Sequence, residues 1–387
     1  MTKNNIKSGQ LVKEQHLNTL LRHLILDDCT TRIGLAKKTG LTKMTVTNLV
    51  NELIQNKLIC ETGTQESKDS LPGRRPIYLV VHPEAPHIID VTIGRDFLSV
   101  SRVDMKLNII IQQKIKLSGE NLQSLLHKIE SELEYVIRYK PNDILGIGVV
   151  TPGPVDAENG LIINPPNFFG INNFNVCRYL KDKFRIPTYI QKDGNACALA
   201  EQMYGKGKNI GDFIYFLATQ GVGVGIITNH RLLNGRRSSG AEIGHTCIDP
   251  NGELCYCGNR GCLETFINQN AVLAKFNAAF GKDFTDFSQL LAFCDADAEG
   301  EKLLFRSLDH LIIGLINAVN ILDCEAIIIG GVYAQLSDKY FAYIESEINN
   351  RILLSGYKRV QLMRASIASA QQALGGACTV LYHYLKL

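Results

Sequence analysis

Leu17, Leu20, Leu21, Leu24 and Ile25 recur at helical spacing, and the pattern predicts a helix with one apolar face. Asp27 and Asp28 end it. Thr30 or Thr31 suits the N-cap of a short helix carrying Ile33, Leu35 and Ala36, and Gly40 breaks that helix. Thr42 suits the cap of a third helix. There Val46, Leu49, Val50, Leu53 and Ile54 form the apolar stripe and Thr42, Lys43, Thr45, Thr47 and Asn48 stay on the other side. Two short apolar runs, at 58–60 and 77–81, flank a polar loop and predict a β-ribbon. Past His82-Pro83-Glu84-Ala85-Pro86 the period changes. Runs at 88–93, 97–103 and 109–116 read as a strand meander, 122–139 as a helix and 144–150 as a buried strand. Further strands at 213–218, 225–228 and 326–330 alternate with helical stretches. The expectation is an α/β protein with mixed sheets, divided into residues 1–84 and 85–387.

Charge sharpens the division. The net charge is +3, and residues 1–84 hold 12 of the 41 Lys+Arg against 8 of the 38 Asp+Glu, so the whole excess lies there. A helix, a glycine turn and a second helix with an outward polar face is helix-turn-helix patterning, in which Thr, Lys and Asn side chains reach base edges and phosphates. Pro72-Gly73-Arg74-Arg75-Pro76 adds a stiff arm whose Arg74 and Arg75 suit a narrow minor groove. These features predict double-stranded DNA as a partner. The competing reading is a solvated three-helix module followed by a charged linker.

Apolar residues make up 45% and charged residues 20%, an ordinary globular mix, and no unbroken apolar run is long enough to span a bilayer. The N-terminus lacks the apolar core of a signal peptide, so the expected location is the cytoplasm. There the 11 cysteines favour metal binding over a disulfide framework. His245, Cys255, Cys257 and Cys262 supply four nitrogen and sulfur ligands, the set a structural zinc site needs. Cys247 is an alternative ligand. Gly258 and Gly261 are expected to let the loop fold tightly round the ion.

The stretch from Ala241 to Thr265, with E-x-G-H followed by C-x-C-G-x-x-G-C-x-E, resembles the ROK family of sugar kinases and sugar-responsive repressors. The segment TRIGLAKKTGLTKMTVTNLVNEL and the Gly-Arg-Arg-Pro after it resemble the DNA-binding head of the family's repressors, which its kinases lack. The resemblance implies a winged helix-turn-helix followed by a two-lobed, actin-like ATPase fold. It implies sugar contacts from Asn167, Asp193, Glu242, His245 and Glu264, with His245 serving zinc through one ring nitrogen and sugar through the other. Asp193 matches the kinases' catalytic base, which in a binder accepts a hydrogen bond instead.

The family's phosphate loops are altered here. The stretch matching Asp-x-Gly-Gly-Thr is Asp90-Val91-Thr92-Ile93-Gly94-Arg95, without the glycine pair. Thr219-Gln220-Gly221-Val222-Gly223-Val224-Gly225 keeps its glycines but carries Gln220 in place of Thr, and Gly330-Gly331-Val332 is one glycine short. Lys192 replaces the Asn before the catalytic Asp. The sequence therefore predicts a non-enzymatic repressor, a homodimer or homotetramer, with a monosaccharide or sugar derivative as effector. Its rivals are a sugar kinase with an added DNA-binding head and a repressor governed by a protein partner.

Overall fold

The computed structural model describes residues 2–26, 30–62, 77–140, 142–235, 240–353, 355–366 and 374–386. The head comes first. Helix Thr2–Leu26 is followed by helices Arg32–Thr39 and Lys43–Gln55. Thr31 caps the second helix by accepting from the Gly34 amide at 3.0 Å, and Gly40 closes it at φ 69°. Thr42 caps the third, accepting from the Thr45 amide at 3.1 Å. Strand Tyr78–Val81 pairs antiparallel with Ile59–Thr62 and with the short Thr30–Thr31, which makes a winged helix-turn-helix. The tip between the strands, with Arg74 and Arg75, lies outside the described residues.

Two five-stranded sheets follow, one per lobe. The first runs Thr188–Lys192, Ile144–Thr151, His87–Ile93, Phe97–Val103, Ile109–Lys116 in space. The second runs Arg231–Leu232, Val222–Thr228, Phe213–Ala218, Ala326–Gly331, Gln361–Arg364. In each, the first three strands in sequence form an antiparallel meander and the last two add in parallel. The same order and polarity occur twice, the duplicated plan of actin-like proteins. Each lobe has its own apolar core. Helix Ala298–Leu322 is long and apolar enough to cross a membrane by length and composition, but Leu304, Leu308, Leu311, Ile312 and Leu315 are buried in the core of the second lobe.

Helix Asp193–Tyr204 joins the lobes. It leaves the first sheet at Lys192 and packs against strand Val222–Thr228 of the second. The approach is so close that only glycine fits. A Cβ on Gly225 would lie 2.3 Å from the Gly194 carbonyl oxygen, one on Gly194 2.6 Å from the Val224 nitrogen, and one on Gly223 2.7 Å from Asp193 Oδ1. Gly223 and Gly225 thus serve helix-on-strand packing, while Gly221 faces the Glu264 carboxylate. The final helix, Gly375–Tyr384, packs against both helix Asp193–Tyr204 and the first sheet. Its N-terminus is held by Asp90, whose Oδ2 accepts from the Gly376 and Ala377 amides at 2.6 and 3.1 Å.

The head is not loosely tethered. Its apolar residues Leu20, Leu24, Val46, Leu53 and Leu79 share one continuous core with Ile88, Met105, Cys197, Met203, Tyr215 and Leu381. Polar bonds reinforce it. Lys106 Nζ donates to the Ile25 carbonyl at 2.9 Å, Lys208 Nζ to the Leu26 carbonyl, and Tyr204 Oη to the Met105 carbonyl at 3.2 Å. Two ammonium groups therefore sit at the C-terminal carbonyls of helix Thr2–Leu26, where the helix dipole is negative.

A prediction follows from the glycine contact. Gly225→Ala forces backbone apart inside a packed interface, and overpacking of this kind costs about 1–3 kcal/mol or more. Chemical denaturation is expected to show that loss, and an unchanged midpoint would contradict the contact.

Candidate functional site

A cavity of about 580 Å³ lies between the lobes, walled by the ends of both sheets and by the 241–264 loop. Asp193 enters it because strand Thr188–Lys192 stops there and a helix begins, the crevice at strand C-termini where α/β sheets bind ligands. Its Oδ1 accepts from the Gly194 amide at 2.7 Å. Burial raises its carboxyl to about 6, against the lowering effect of that amide and of Lys192.

The other expected sugar contacts are mostly engaged within the chain. Glu242 lines the cavity, and its Oε1 accepts from Lys192 Nζ at 2.8 Å. Glu264 is the second residue of helix Leu263–Ile267, which begins directly after Cys262, and its Oε2 accepts from the Val222 amide at 2.7 Å. His245 lines the cavity too, but its Nε2 lies 2.8 Å from the Tyr256 hydroxyl. A phenol thus holds the nitrogen for which the resemblance implies a sugar contact. Burial pushes that phenol's pKa up, so it stays neutral. Asn167 is exposed, in a left-handed turn at φ 50°, and does not line the cavity; Asn164 does. Arg95, also in the wall, donates through Nη1 to the Pro166 carbonyl.

His245, Cys255, Cys257 and Cys262 converge, with all four ligand atoms within 4.8 Å of one another. Cys255 Sγ is 3.6 Å from His245 Nδ1, and Cys257 Sγ is 3.6 Å from Cys262 Sγ. With metal–sulfur bonds of about 2.3 Å, a tetrahedron has edges of about 3.8 Å, so the set fits a zinc-sized ion. Cys247 is exposed and outside the tetrad. The glycines let the loop fold tightly, as expected, and they do so through backbone conformation. Gly258 and Gly261 have φ of 91° and 64°, and a Cβ on Gly261 would strike the Asp249 carbonyl oxygen at 1.6 Å, while Gly258 faces open space. Both adopt the left-handed backbone that the hairpin requires.

At the altered phosphate loop, Asp90 is spent on the final helix, and Thr92 Oγ1 donates to it at 2.8 Å. Burial raises Asp90 to about 7. Ile93 is buried in the core of the first lobe, and Gly94 packs against the Phe97 ring.

On helix Lys43–Gln55, Lys43 and Asn48 are exposed and Thr47 Oγ1 donates back to the Lys43 carbonyl at 2.8 Å. Thr42 and Thr45 bond each other at 2.9 Å at the cap. Met44, 70% exposed at the start of the same helix, is a surface residue that sequence reasoning passed over. Its signal was an apolar residue off the apolar stripe. Tyr256 and Asn164 were likewise missed as wall residues, because neither sits on a periodic element that would aim it.

The profile of the ROK family matches residues 88–382. A xylose repressor of Bacillus spizizenii is 28% identical over 387 residues, covering 99% of both chains. Among solved structures, a ROK family transcriptional regulator, a homologue of the Escherichia coli MLC protein, superimposes with a TM-score of 0.83 at 23% identity, covering 97% of both chains. A ROK hexokinase from Thermus thermophilus has a TM-score of 0.67 at 26% identity, covering 78% of this chain and 99% of its own.

The tetrad leads to a second expected outcome. Cys257→Ser removes one ligand, so the purified variant should hold much less zinc than the wild type when both are titrated with a chromogenic chelator. Equal metal content would exclude the site.

Proposed function

The chain belongs to the ROK family, and from that premise we propose that it is a DNA-binding transcriptional repressor of carbohydrate genes. Residues 1–84 read an operator and residues 85–387 sense a sugar. As a dimer or tetramer it sets two copies of helix Lys43–Gln55 in successive major grooves of a palindromic, A·T-rich site, with half-sites about 10–10.5 bp apart or a multiple. Thr42, Lys43, Thr45, Thr47 and Asn48 contact the DNA there, Met44 adds an apolar contact, and Arg74 and Arg75 reach the minor groove. Similarity to a xylose repressor along 99% of the chain supports the reading.

The observation that carries it is the physical link between cleft and head. Helix Asp193–Tyr204 begins with Asp193 in the cavity and ends at Tyr204, whose hydroxyl holds Met105; Lys106 and Lys208, beside these two residues, grip the last carbonyls of the head's first helix. A sugar that favours a closed cleft turns this helix against the first lobe and shifts the grip, which changes the spacing of the two heads. Asn167, Asp193, Glu242 and Glu264 bind the sugar, and Tyr256 carries the contact assigned to His245. Zinc, when bound, braces the loop that presents Glu242 and Glu264. Cleft closure that brings Asn167 inward accounts for its place outside the cavity.

The kinase reading has one specific support, the likeness to a hexokinase. Against it stand Asp90 committed to the final helix and Ile93 buried where the kinases' glycine turn lies. The deciding experiment is fluorescence anisotropy on the promoter DNA upstream of the gene, run with a sugar panel, beside a coupled ADP-release assay. The expected result is operator binding that one sugar weakens about tenfold or more, with no ADP release above background. Lys208→Ala should keep both binding activities and lose most of the coupling. Failure to bind DNA at low salt, with rapid hexose phosphorylation, would overturn the proposal.

Asp193 gives a pH signature. Its carboxylate accepts the sugar hydroxyl far more strongly when ionised, and burial raises its pKa to about 6. Sugar affinity should therefore hold above pH 7 and fall as pH drops through 6 toward 5. Asp193→Asn should bind weakly at every pH; a wild-type profile flat from pH 8 to 5 would remove Asp193 from the contact.

A further inference from the structure

Lys192 is an unusual residue to find in such a wall. It is 2% exposed, yet it lines the cavity. Its Nζ donates to the Gly240 carbonyl at 2.5 Å and to Glu242 Oε1 at 2.8 Å. An ammonium has three N–H bonds, so one donor direction remains. Thr151 stands beside it. The two residues are paired in register on neighbouring parallel strands, at the carboxyl ends that open into the cleft. Thr151 is 1% exposed, lines the same cavity, and its Oγ1 has no hydrogen-bond partner among the described residues. A buried hydroxyl left without a partner is costly, and a ligand oxygen is the simplest thing to satisfy it.

We propose that Lys192 and Thr151 form a subsite at the inner end of the cleft that reads an acceptor oxygen, so that the effector is a neutral or acidic sugar and cationic amino sugars are rejected. This rests on the sugar-sensor reading above. The chemistry is complementary. One sugar oxygen accepts from Lys192 Nζ and meets Thr151 Oγ1, while a neighbouring hydroxyl donates to the carboxylate of Glu242. A carboxylate oxygen of an acidic sugar satisfies Lys192 equally well. An ammonium placed where that oxygen sits has no lone pair to offer Lys192 Nζ, so it leaves that buried donor unmatched. An asparagine at position 192 would present both a donor and an acceptor and would not discriminate in this way. Lysine presents donors alone.

The test is isothermal titration of the full-length protein with pentoses and hexoses, their 2-amino derivatives and their uronic acids. In the wild type the tightest ligand should be neutral or acidic, with its amino derivative at least about tenfold weaker, the scale on which an unmatched polar group is rejected. Lys192→Gln should shrink that ratio to about threefold or less. Thr151→Val keeps the side-chain shape and should weaken the parent sugar about tenfold, which keeps the assignment testable if Lys192→Gln folds poorly. An amino sugar bound as tightly as its parent would overturn the proposal. So would Lys192→Gln weakening both in equal proportion, because the ion pair would then be a structural brace only. No binding of any sugar by the wild type would instead sink the sensor reading from which the proposal starts.

Discussion

The approach of helix Asp193–Tyr204 to strand Val222–Thr228 is the contact on which the rest of the structure depends. Backbone meets backbone at Gly194 and Gly225, and Gly223 lies against the Asp193 carboxylate. Three consequences follow from that one closeness. It fixes the second lobe against a helix that grows out of the first. It delivers Asp193 to the cleft with its carboxylate against Gly223. It also leaves the far end of the helix, a dozen residues and about 18 Å away, against the head. Packed interfaces are bistable rather than soft, so a rigid helix seated this tightly transmits a displacement instead of absorbing it.

The cleft itself is built around prepaired polar groups. Glu242 is held by Lys192, Glu264 by the Val222 amide and His245 by Tyr256. Each bond orients a group that would otherwise rotate. The His/Cys tetrad anchors the same loop from behind, since Cys262 caps the helix in which Glu264 is the second residue. Metal loop, carboxylate and strand backbone thus form one rigid wall. The opposite wall, with Arg95 and the Thr151–Pro154 segment, belongs to the other lobe, so the cavity's shape depends on the angle between lobes.

Much of this was legible from residue order. The meander strands Phe97–Val103 and Ile109–Lys116 coincide with their alternating runs because a strand with one face in the core cannot slip by one residue. The caps at Thr31, Gly40 and Thr42 coincide as well, because they are local chemistry. The four converging metal-site residues span only 18 positions, and His and Cys in such density have few other uses. Position 256 was opaque because a side chain within a glycine hairpin has no period to aim it. Asn164 rather than Asn167 faces the cavity for a similar reason: the left-handed backbone at Asn167 itself redirects the chain in a way that spacing does not encode.

The amino-acid sequence by itself determined the elements, their caps, the polar face of the third helix and the ligand set, all of which arise from interactions among residues close in the chain. The tertiary structure alone decided the pairing of Lys192 with Glu242 across 50 positions, the capture of His245 by Tyr256, the commitment of Asp90 to a helix 286 positions later and the grip of Lys106 and Lys208 on the head. Those contacts depend on how two lobes and a head pack together, and packing geometry is a property of the assembled core, to which no single stretch of sequence holds the key.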